Sequence, residues 1–208
     1  MHRKKSFSLF FLFLFVIFLS GCFEYEETIT IRKDGSGEMA VHFFGPEDSD
    51  MEVDGFKLGK KEREMCEQIE KKFSAPGVRV KSYESKIKGD AQHVYFTVAF
   101  DQFASLARVR WFDDQEIDAG RRDGQNSWRR TLSSGDHRSD DESRFGEWLK
   151  EKIADELADH LKLRFAIETD GEIIATNARD RMPHRAVWRF DGADFLKPEG
   201  LEMKVSWK

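Results

Sequence analysis

Histidines and carboxylates are the side chains in this sequence that could activate water or hold a metal ion, but their spacing indicates neither task. Zinc sites gather such groups in short motifs such as HExxH. The histidines that could serve are instead scattered along the chain: His42, His93, His137, His160 and His184. The acidic segments 48–54 and 136–142 lack the ligand spacing and central glycine of a calcium loop. The sequence therefore predicts no metal site.

Two residues could act as nucleophiles, and the local pattern disfavours both. Ser36 lies in a Gly-Ser-Gly segment that predicts a hairpin turn rather than the strand-to-helix elbow of a catalytic serine. Cys66 lies beside Met65 and Ile69 in an apolar stripe, where a thiol packs as a small hydrophobic group. We therefore expect no enzyme, and a hydrolase working through histidine and aspartate is only the third hypothesis.

One basic cluster lies at a predicted hairpin and consists of Arg121, Arg122, Arg129 and Arg130. Guanidinium groups on one face bind phosphate well, so these four arginines are the candidate site for lipid headgroups. The alternative is that the acidic residues between Asp113 and Asp118 neutralise them through cross-strand ion pairs. Both interpretations stay open at this point.

The N-terminal segment has the order of a secretory signal. A basic stretch, His2–Lys5, precedes an apolar run from Phe7 to Leu19, and small residues follow. The run of about 13 residues is shorter than the roughly 20 that a membrane-spanning helix needs. An uncleaved membrane helix and an ordinary secreted protein are the alternatives, and a secreted protein has no need for a cysteine at position 22.

The segment Leu19-Ser20-Gly21-Cys22 resembles the bacterial lipobox. The resemblance implies cleavage between Gly21 and Cys22, a diacylglyceryl thioether on Cys22, and fatty acids such as palmitate at the new N-terminus. Two or more acyl chains give stable membrane anchoring. The covalent lipid is the only attached group we expect, so no cofactor is predicted. Because Phe23 rather than Asp follows, the outer membrane is favoured, if the host has one.

The predicted mature chain, residues 22–208, has the size of one domain, and residues 1–21 form the signal peptide. The formal net charge is −5, and cleavage of the basic leader makes the chain more acidic. Nucleic-acid binding, which depends on neutralising phosphates, is therefore excluded as a function class. Lipidation of Cys22 would leave Cys66 without a cysteine partner in the chain, so no disulfide is expected.

Periodicity along the mature chain predicts an α+β fold. Residues 25–31 and 39–43 alternate around an Asp-Gly-Ser-Gly turn, with His42 out of phase with the apolar face and expected in solvent. Further alternating segments predict the strands 78–88, 93–100, 109–112, 128–132, 163–167, 173–174, 187–190 and 203–207. Apolar residues at helical spacing predict helices over 58–73 and 145–161, and 133–142 is a polar loop. We expect an antiparallel sheet with two main amphipathic helices packed on one face.

Both ends of the chain resemble a known family. After the lipobox, Thr28-Ile-Thr-Ile31 leads to Asp34-Gly35-Ser36-Gly37-Glu38, as in bacterial envelope lipoproteins with an LppM-like domain. The strand and turn of 165–173, then Thr176-Asn177-Ala178 and Val187-Trp188-Arg189-Phe190, are similar to the same family. The resemblance implies a compact α+β lipoprotein domain and carries no catalytic residue to this chain.

Three functions follow as hypotheses. The first is a membrane-anchored, non-enzymatic lipoprotein of the cell envelope that binds another envelope protein or lipid. The second is a module that binds or transfers lipids or other hydrophobic ligands in a pocket between helix 145–161 and the sheet. In that case several of the five tryptophans would face one cleft. The hydrolase is the third.

Overall fold

The computed structural model describes residues 23–46, 52–53, 56–57, 62–113, 115–122, 124–132, 161–195, 197 and 200–208. These residues form thirteen β-strands in three sheets. The strands are β1 Phe23–Ile31, β2 Gly37–Pro46, β3 Glu52–Val53, β4 Phe56–Lys57, β5 Val78–Lys88, β6 Ala91–Phe100, β7 Gln115–Arg122, β8 Gln125–Leu132, β9 Leu161–Thr169, β10 Ile173–Thr176, β11 Asp180–Met182, β12 Arg185–Asp191 and β13 Leu201–Trp207.

The larger sheet has seven strands in the order β11-β12-β9-β1-β2-β6-β5, so β1 is its central strand. β1 pairs in parallel with β9, and the other described pairs of this sheet are antiparallel. The predicted first hairpin is confirmed, with Gly35 in its turn at a φ of 85°. At Gly37 a Cβ atom would lie 2.0 Å from the Thr30 carbonyl oxygen, so the hairpin needs glycine there.

The smaller sheet has four strands in the order β10-β13-β8-β7 and packs its apolar face on the larger sheet. Its inward residues include Trp128, Met203, Val205 and Trp207, each at most 3% exposed. From the larger sheet, Glu27 of β1 and Phe165 of β9 both contact Arg130 of β8. A sandwich of two sheets buries both apolar faces in one core.

Helices are short among the described residues. They comprise α1 Glu62–Lys72, α2 Gly192–Phe195 and two 3-10 helices, Phe103–Arg108 and Arg110–Phe112. Met65 and Ile69 of α1 are fully buried, and the Phe73 ring that follows lies 5.3 Å from the Trp111 ring. The 3-10 segments and α1 thus cover part of the larger sheet. No helix in these ranges is long and apolar enough to span a membrane.

The predicted fold class was wrong. The protein is a two-sheet β-sandwich with small helices rather than one antiparallel sheet carrying two main helices. The alternating pattern identified most strands, but alternation does not reveal which sheet a strand joins. Ile173–Thr176, for example, leaves β9 and pairs with β13 in the smaller sheet. The predicted helix 145–161 lies outside the described residues, apart from Leu161, which begins β9.

Of the predictions for residues 58–73 and 109–112, the first is confirmed and the second is wrong. A helix over 58–73 is confirmed as α1, although it begins at Glu62. A strand over 109–112 is wrong, because Arg110–Phe112 forms a 3-10 helix with buried Trp111 and Phe112. Three aromatic or branched side chains in four residues match a strand by propensity. The packing of Trp111 and Phe112 against Phe73 and the core outweighs strand propensity in this segment.

A buried ion pair joins the two sheets. Glu27 of β1 accepts a hydrogen bond of 2.6 Å from Nη1 of Arg130 in β8, and these side chains are only 2% and 3% exposed. Gln115 of β7 accepts a second hydrogen bond from Nε of Arg130. The guanidinium lies 4.6 Å from the Phe112 ring and 5.0 Å from the Phe165 ring. The arginine is thus held by a carboxylate, an amide and two aromatic faces.

Tyr25 completes this buried network. Its hydroxyl donates a hydrogen bond of 2.7 Å to the second carboxylate oxygen of Glu27. Burial and then the negative charge of Glu27 raise the pKa of Tyr25 well above its ordinary value. The phenol therefore stays protonated and remains a donor to Glu27.

We predict that Glu27→Gln lowers the free energy of unfolding by about 3–5 kcal/mol, because it leaves the buried Arg130 charge unpaired. Urea titration would measure the loss. Glu202→Gln is the matched control: it breaks the surface pairs of Glu202 with Arg129 at 2.8 Å and with Lys204 at 2.6 Å and should cost less than about 1 kcal/mol. Replacing Glu27 and Arg130 together by Met should restore much of the stability. Equal small losses in both single variants would contradict this role for the pair.

Candidate functional site

Four ring side chains stand together on the outer face of the larger sheet. His42 and Phe44 lie on β2, and His93 and Tyr95 lie on β6. The register places His42 opposite Tyr95 and Phe44 opposite His93. All four are half-buried. We call these residues the ring cluster.

The rings of this cluster stack face to face across the two strands. The His42 and Tyr95 rings are 4.2 Å apart between centroids with an interplanar angle of 6°. The Phe44 and His93 rings are 4.6 Å apart at 21°. Because the flat faces contact each other, it is the ring edges that are left to meet a partner. Those edges include imidazole nitrogens and a phenolic hydroxyl, which are hydrogen-bonding groups.

The two histidines form a hydrogen-bonded pair. Nε2 of His42 lies 3.1 Å from Nδ1 of His93, so one ring donates and the other accepts. Burial, more than any other cause, lowers the pKa of both imidazoles, and the positive charge of Lys88 adds to the effect. Glu26, at 3.9 Å from Nδ1 of His42, opposes the shift at that residue. The pair is therefore neutral near pH 7.

An open groove of about 610 Å³ runs beside the ring cluster on the same face. Glu26 on β1 and Glu84 on β5 flank His42 and Tyr95 on one rung of the sheet. Between and beside them the groove is lined by hydroxyl and small side chains, namely Thr28, Ala40, Ser82 and Thr97. Polar and apolar surface contribute about equally to the lining, and its carboxylate, hydroxyl and imidazole groups can hydrogen-bond a partner.

The geometry of the ring cluster bears on metal binding and on catalysis. The described residues contain no group of three or more histidine, cysteine or acidic side chains that could hold a metal ion. Nδ1 of His42 lies 3.9 Å from Glu26, and Nε2 of the same ring is hydrogen-bonded to His93.

The structure separates the four arginines of the predicted headgroup site. Arg130 points into the core and is bonded to Glu27. Arg129, next in the strand, points outward and donates to Glu202 at 2.8 Å. Arg121 and Arg122 are exposed at the end of β7. The four side chains therefore do not share one surface, and a headgroup site stays a prediction for the three that are exposed.

The other predicted site residues fall in several places. Cys22 and Gly21 lie outside the described residues, as do His137, His160 and the acidic segment 136–142. Cys66 on α1 is half-buried, and His184 lies 2.9 Å from the Gly171 carbonyl oxygen on the surface. The four described tryptophans are buried in the core: Trp111, Trp128, Trp188 and Trp207.

The ring cluster was not predicted from the sequence, although a signal for it exists there. His42, Phe44, His93 and Tyr95 all occupy the phase of their strands that faces away from the core. Aromatic residues at repeated outward positions are unusual for a purely solvated face. Their pairing depends on the register of β2 with β6, about 50 residues apart in sequence. Local alternation cannot supply that register.

We predict that acidification destabilises the protein through the histidine pair. Because folding lowers both pKa values, the neutral pair contributes stability above the unfolded imidazole pKa of about 6.5. That contribution is lost as the pH falls through the folded values. Thermal unfolding followed from about pH 7.5 to about pH 5 should show a smaller decline in His42→Gln/His93→Gln than in the unaltered protein. His184→Gln, on an exposed turn, is the control and should keep the full decline; equal declines in all three would contradict the assignment.

Comparisons with known proteins bear on the fold. Residues 17–118 match the family model described as LIC11874-like. The NMR structure of the folded domain of the LppM protein from Mycobacterium tuberculosis is similar, with a TM-score of 0.52 and 11% identity over 91% of each chain. No curated protein sequence matches the chain.

At that identity the likeness concerns the arrangement of the backbone. It extends over nearly all of both chains, whereas the sequence resemblance is confined to short motifs near the two ends. The family match covers Cys22, the first hairpin, α1 and the β5–β6 hairpin. The chain therefore has an LppM-like fold, with an N-terminal half similar to the LIC11874-like family.

Proposed function

We propose that this chain is a bacterial envelope lipoprotein, anchored through acylated Cys22, whose folded domain is a non-enzymatic binding module. The observation that carries the proposal is the start of β1 at Phe23, directly after the lipobox cysteine. Phe23 is only 6% exposed and pairs with Leu161 in the larger sheet. The anchor would thus be joined to the central strand of the domain with no flexible linker.

Such an attachment restricts where the domain can work. A flexible tether lets a domain search a volume that grows with linker length. Here the first residue after Cys22 is already fixed by strand pairing, so the domain would stay next to the bilayer. A partner must then be another membrane component or a molecule that approaches the membrane.

The groove beside the ring cluster is the proposed binding surface for that partner. Carboxylates that flank His42 and Tyr95, hydroxyl groups along the lining and imidazole edges offer many hydrogen bonds to a polar envelope component. The alternative, a hydrophobic ligand held inside the domain, has less support. The space between the two sheets is filled by large buried side chains and by the Glu27–Arg130 pair. A pocket beside residues 145–161 lies outside the described chain.

The hydrolase remains the third candidate because one observation favours it. The structure brings a histidine, His42, within 3.9 Å of a carboxylate, Glu26, at the edge of a groove. The separation and the competing bond to His93 make the pair a weak general base. Glu26 also accepts a hydrogen bond of 3.4 Å from Nη1 of Arg164, which engages its carboxylate further.

We predict that the protein extracted from host membranes has the mass of residues 22–208 plus a diacylglyceryl group and acyl chains. Intact mass spectrometry would measure it, and fractionation of the membranes would test the preference for the outer membrane inferred from Phe23. Cys22→Ala should abolish both the lipid mass and the membrane association. A full-length, unlipidated mass would contradict the anchor.

A photo-crosslinking amino acid at Thr97, inside the groove, should capture an envelope component in living cells. The same group at Ser206, on the outer face of the smaller sheet, is the matched control because it lies on an equally outward strand position. Adducts specific to position 97 support the groove as the binding surface. Identical adducts from both positions, or none from position 97, would contradict it.

A further inference from the structure

Two large apolar side chains among the described residues are more than half exposed. They are Ile87, at 58%, and Met182, at 53%. Single exposed apolar residues are common on protein surfaces and need no explanation by themselves. Their positions differ, however, because they lie at opposite ends of the larger sheet.

Strand register places Ile87 at the same end of the sheet as the proposed anchor. Lys86 pairs with His93, His93 with Phe44, and Phe44 with Glu24, so these residues form one rung across four strands. Ile87 is one residue further along β5, level with Phe23. At about 4.8 Å between strands, Ile87 lies roughly 14 Å to the side of Phe23.

Met182 lies at the other end of the same sheet. It pairs with Arg185, which pairs with Glu168, and Glu168 pairs with Thr30 near the end of β1. Seven residues of strand separate Thr30 from Phe23, which corresponds to about 23 Å. A bilayer reached by the Cys22 anchor would therefore be near Ile87 and far from Met182.

The residues next to Ile87 suit a charged membrane surface. Lys86 and Lys88 flank it, and both are exposed at the tip of the β5–β6 hairpin. Lys86 is paired with Glu84 at 2.7 Å, and Asp90 in the turn subtracts a further charge. Lys88 is held near Tyr95, with Nζ 3.4 Å from the hydroxyl oxygen. Side chains alternate along a strand, so Ile87 lies on one face of the hairpin tip and Lys88 on the other. An exposed isoleucine and a lysine at one end of a sheet are positioned for a shallow membrane contact.

We infer that the tip of the β5–β6 hairpin is a second membrane contact, in which Ile87 enters the headgroup region and Lys88 meets anionic phosphates. This inference rests on the proposed anchor at Cys22. The contact would be weak for a free domain, since one partly exposed isoleucine favours burial by only about tenfold. The anchor makes the contact intramolecular, so a weak preference suffices to orient the domain.

The test uses the mature, lipidated protein, residues 22–208, in vesicles of phosphatidylethanolamine and phosphatidylglycerol. An environment-sensitive fluorescent amino acid replaces Ile87 in one preparation and Met182 in another, which leaves Cys66 unmodified. Lipids that carry a quencher just below the headgroup report contact with the bilayer. The label at position 87 should be quenched and blue-shifted, and the label at position 182 should be neither.

A charge variant separates hydrophobic from electrostatic contact. Lys88→Gln in the protein labelled at position 87 should weaken the contact equilibrium about fivefold in these vesicles. In vesicles of neutral phosphatidylcholine the same variant should have little effect. Thermal unfolding checks that the exposed substitution leaves the fold intact.

The outcomes distinguish the inference from the function on which it rests. Vesicle association with equal quenching at positions 87 and 182, or with none at either, overturns the hairpin contact and leaves the anchor standing. Failure of the lipidated protein to associate with vesicles at all overturns the anchor and the inference together. Quenching at 87 alone, reduced by Lys88→Gln only in anionic vesicles, establishes the contact.

Discussion

The ion pair between Glu27 and Arg130 is the interaction on which the sandwich depends. A buried guanidinium without a partner costs several kcal/mol, so the two sheets must meet where a carboxylate is available. The pair joins β1, the central strand of the larger sheet, to β8 of the smaller one. Gln115, Phe112 and Phe165 complete the surroundings of the arginine from three other elements. A slip of one residue in β8 would turn Arg130 to the solvent face and Arg129 into the core. The pair therefore specifies register as well as contributing to stability.

A second polar connection crosses the sheets at Asn177. Its side-chain oxygen Oδ1 accepts hydrogen bonds of 2.8 Å from the Trp188 indole N–H in β12 and from the Lys204 backbone N–H in β13. Its amide donates to the Glu202 carbonyl oxygen at 2.8 Å. Asn177 and Trp188, which belong to the motifs that resemble the family, thus have a structural role. They fix the segment that leads from β10 in the smaller sheet to β11 in the larger one. This explains how a resemblance confined to short segments can accompany a similar fold over most of the chain.

Whether a feature could be predicted from the sequence depends on how far apart in the chain the interacting residues lie. The hairpins β1–β2 and β5–β6 were predictable, because alternation and glycine turns act within about ten residues. The division into two sheets was not predictable, since Ile173–Thr176 pairs with β13, which lies far along the chain.

Arg130 was grouped with three surface arginines because arginine side chains are mostly exposed. Its strand position, in the same phase as buried Trp128, is the one sign that it faces the core. Its carboxylate partner lies about a hundred residues away, and no local pattern could pair them. The ring cluster was missed for the same reason.

The position of the groove along β1 limits what it can bind. The lining residues Glu26 and Thr28 lie four and six residues beyond Cys22, which corresponds to roughly 13–20 Å of extended strand. If the anchor fixes Cys22 at the membrane, the groove opens within that distance of the headgroups. The ring cluster, on the rungs of Glu24 and Glu26, lies on its membrane side. A soluble ligand would gain nothing from this placement. A partner that projects a short way from the same membrane meets the groove and the histidine pair without any movement of the domain.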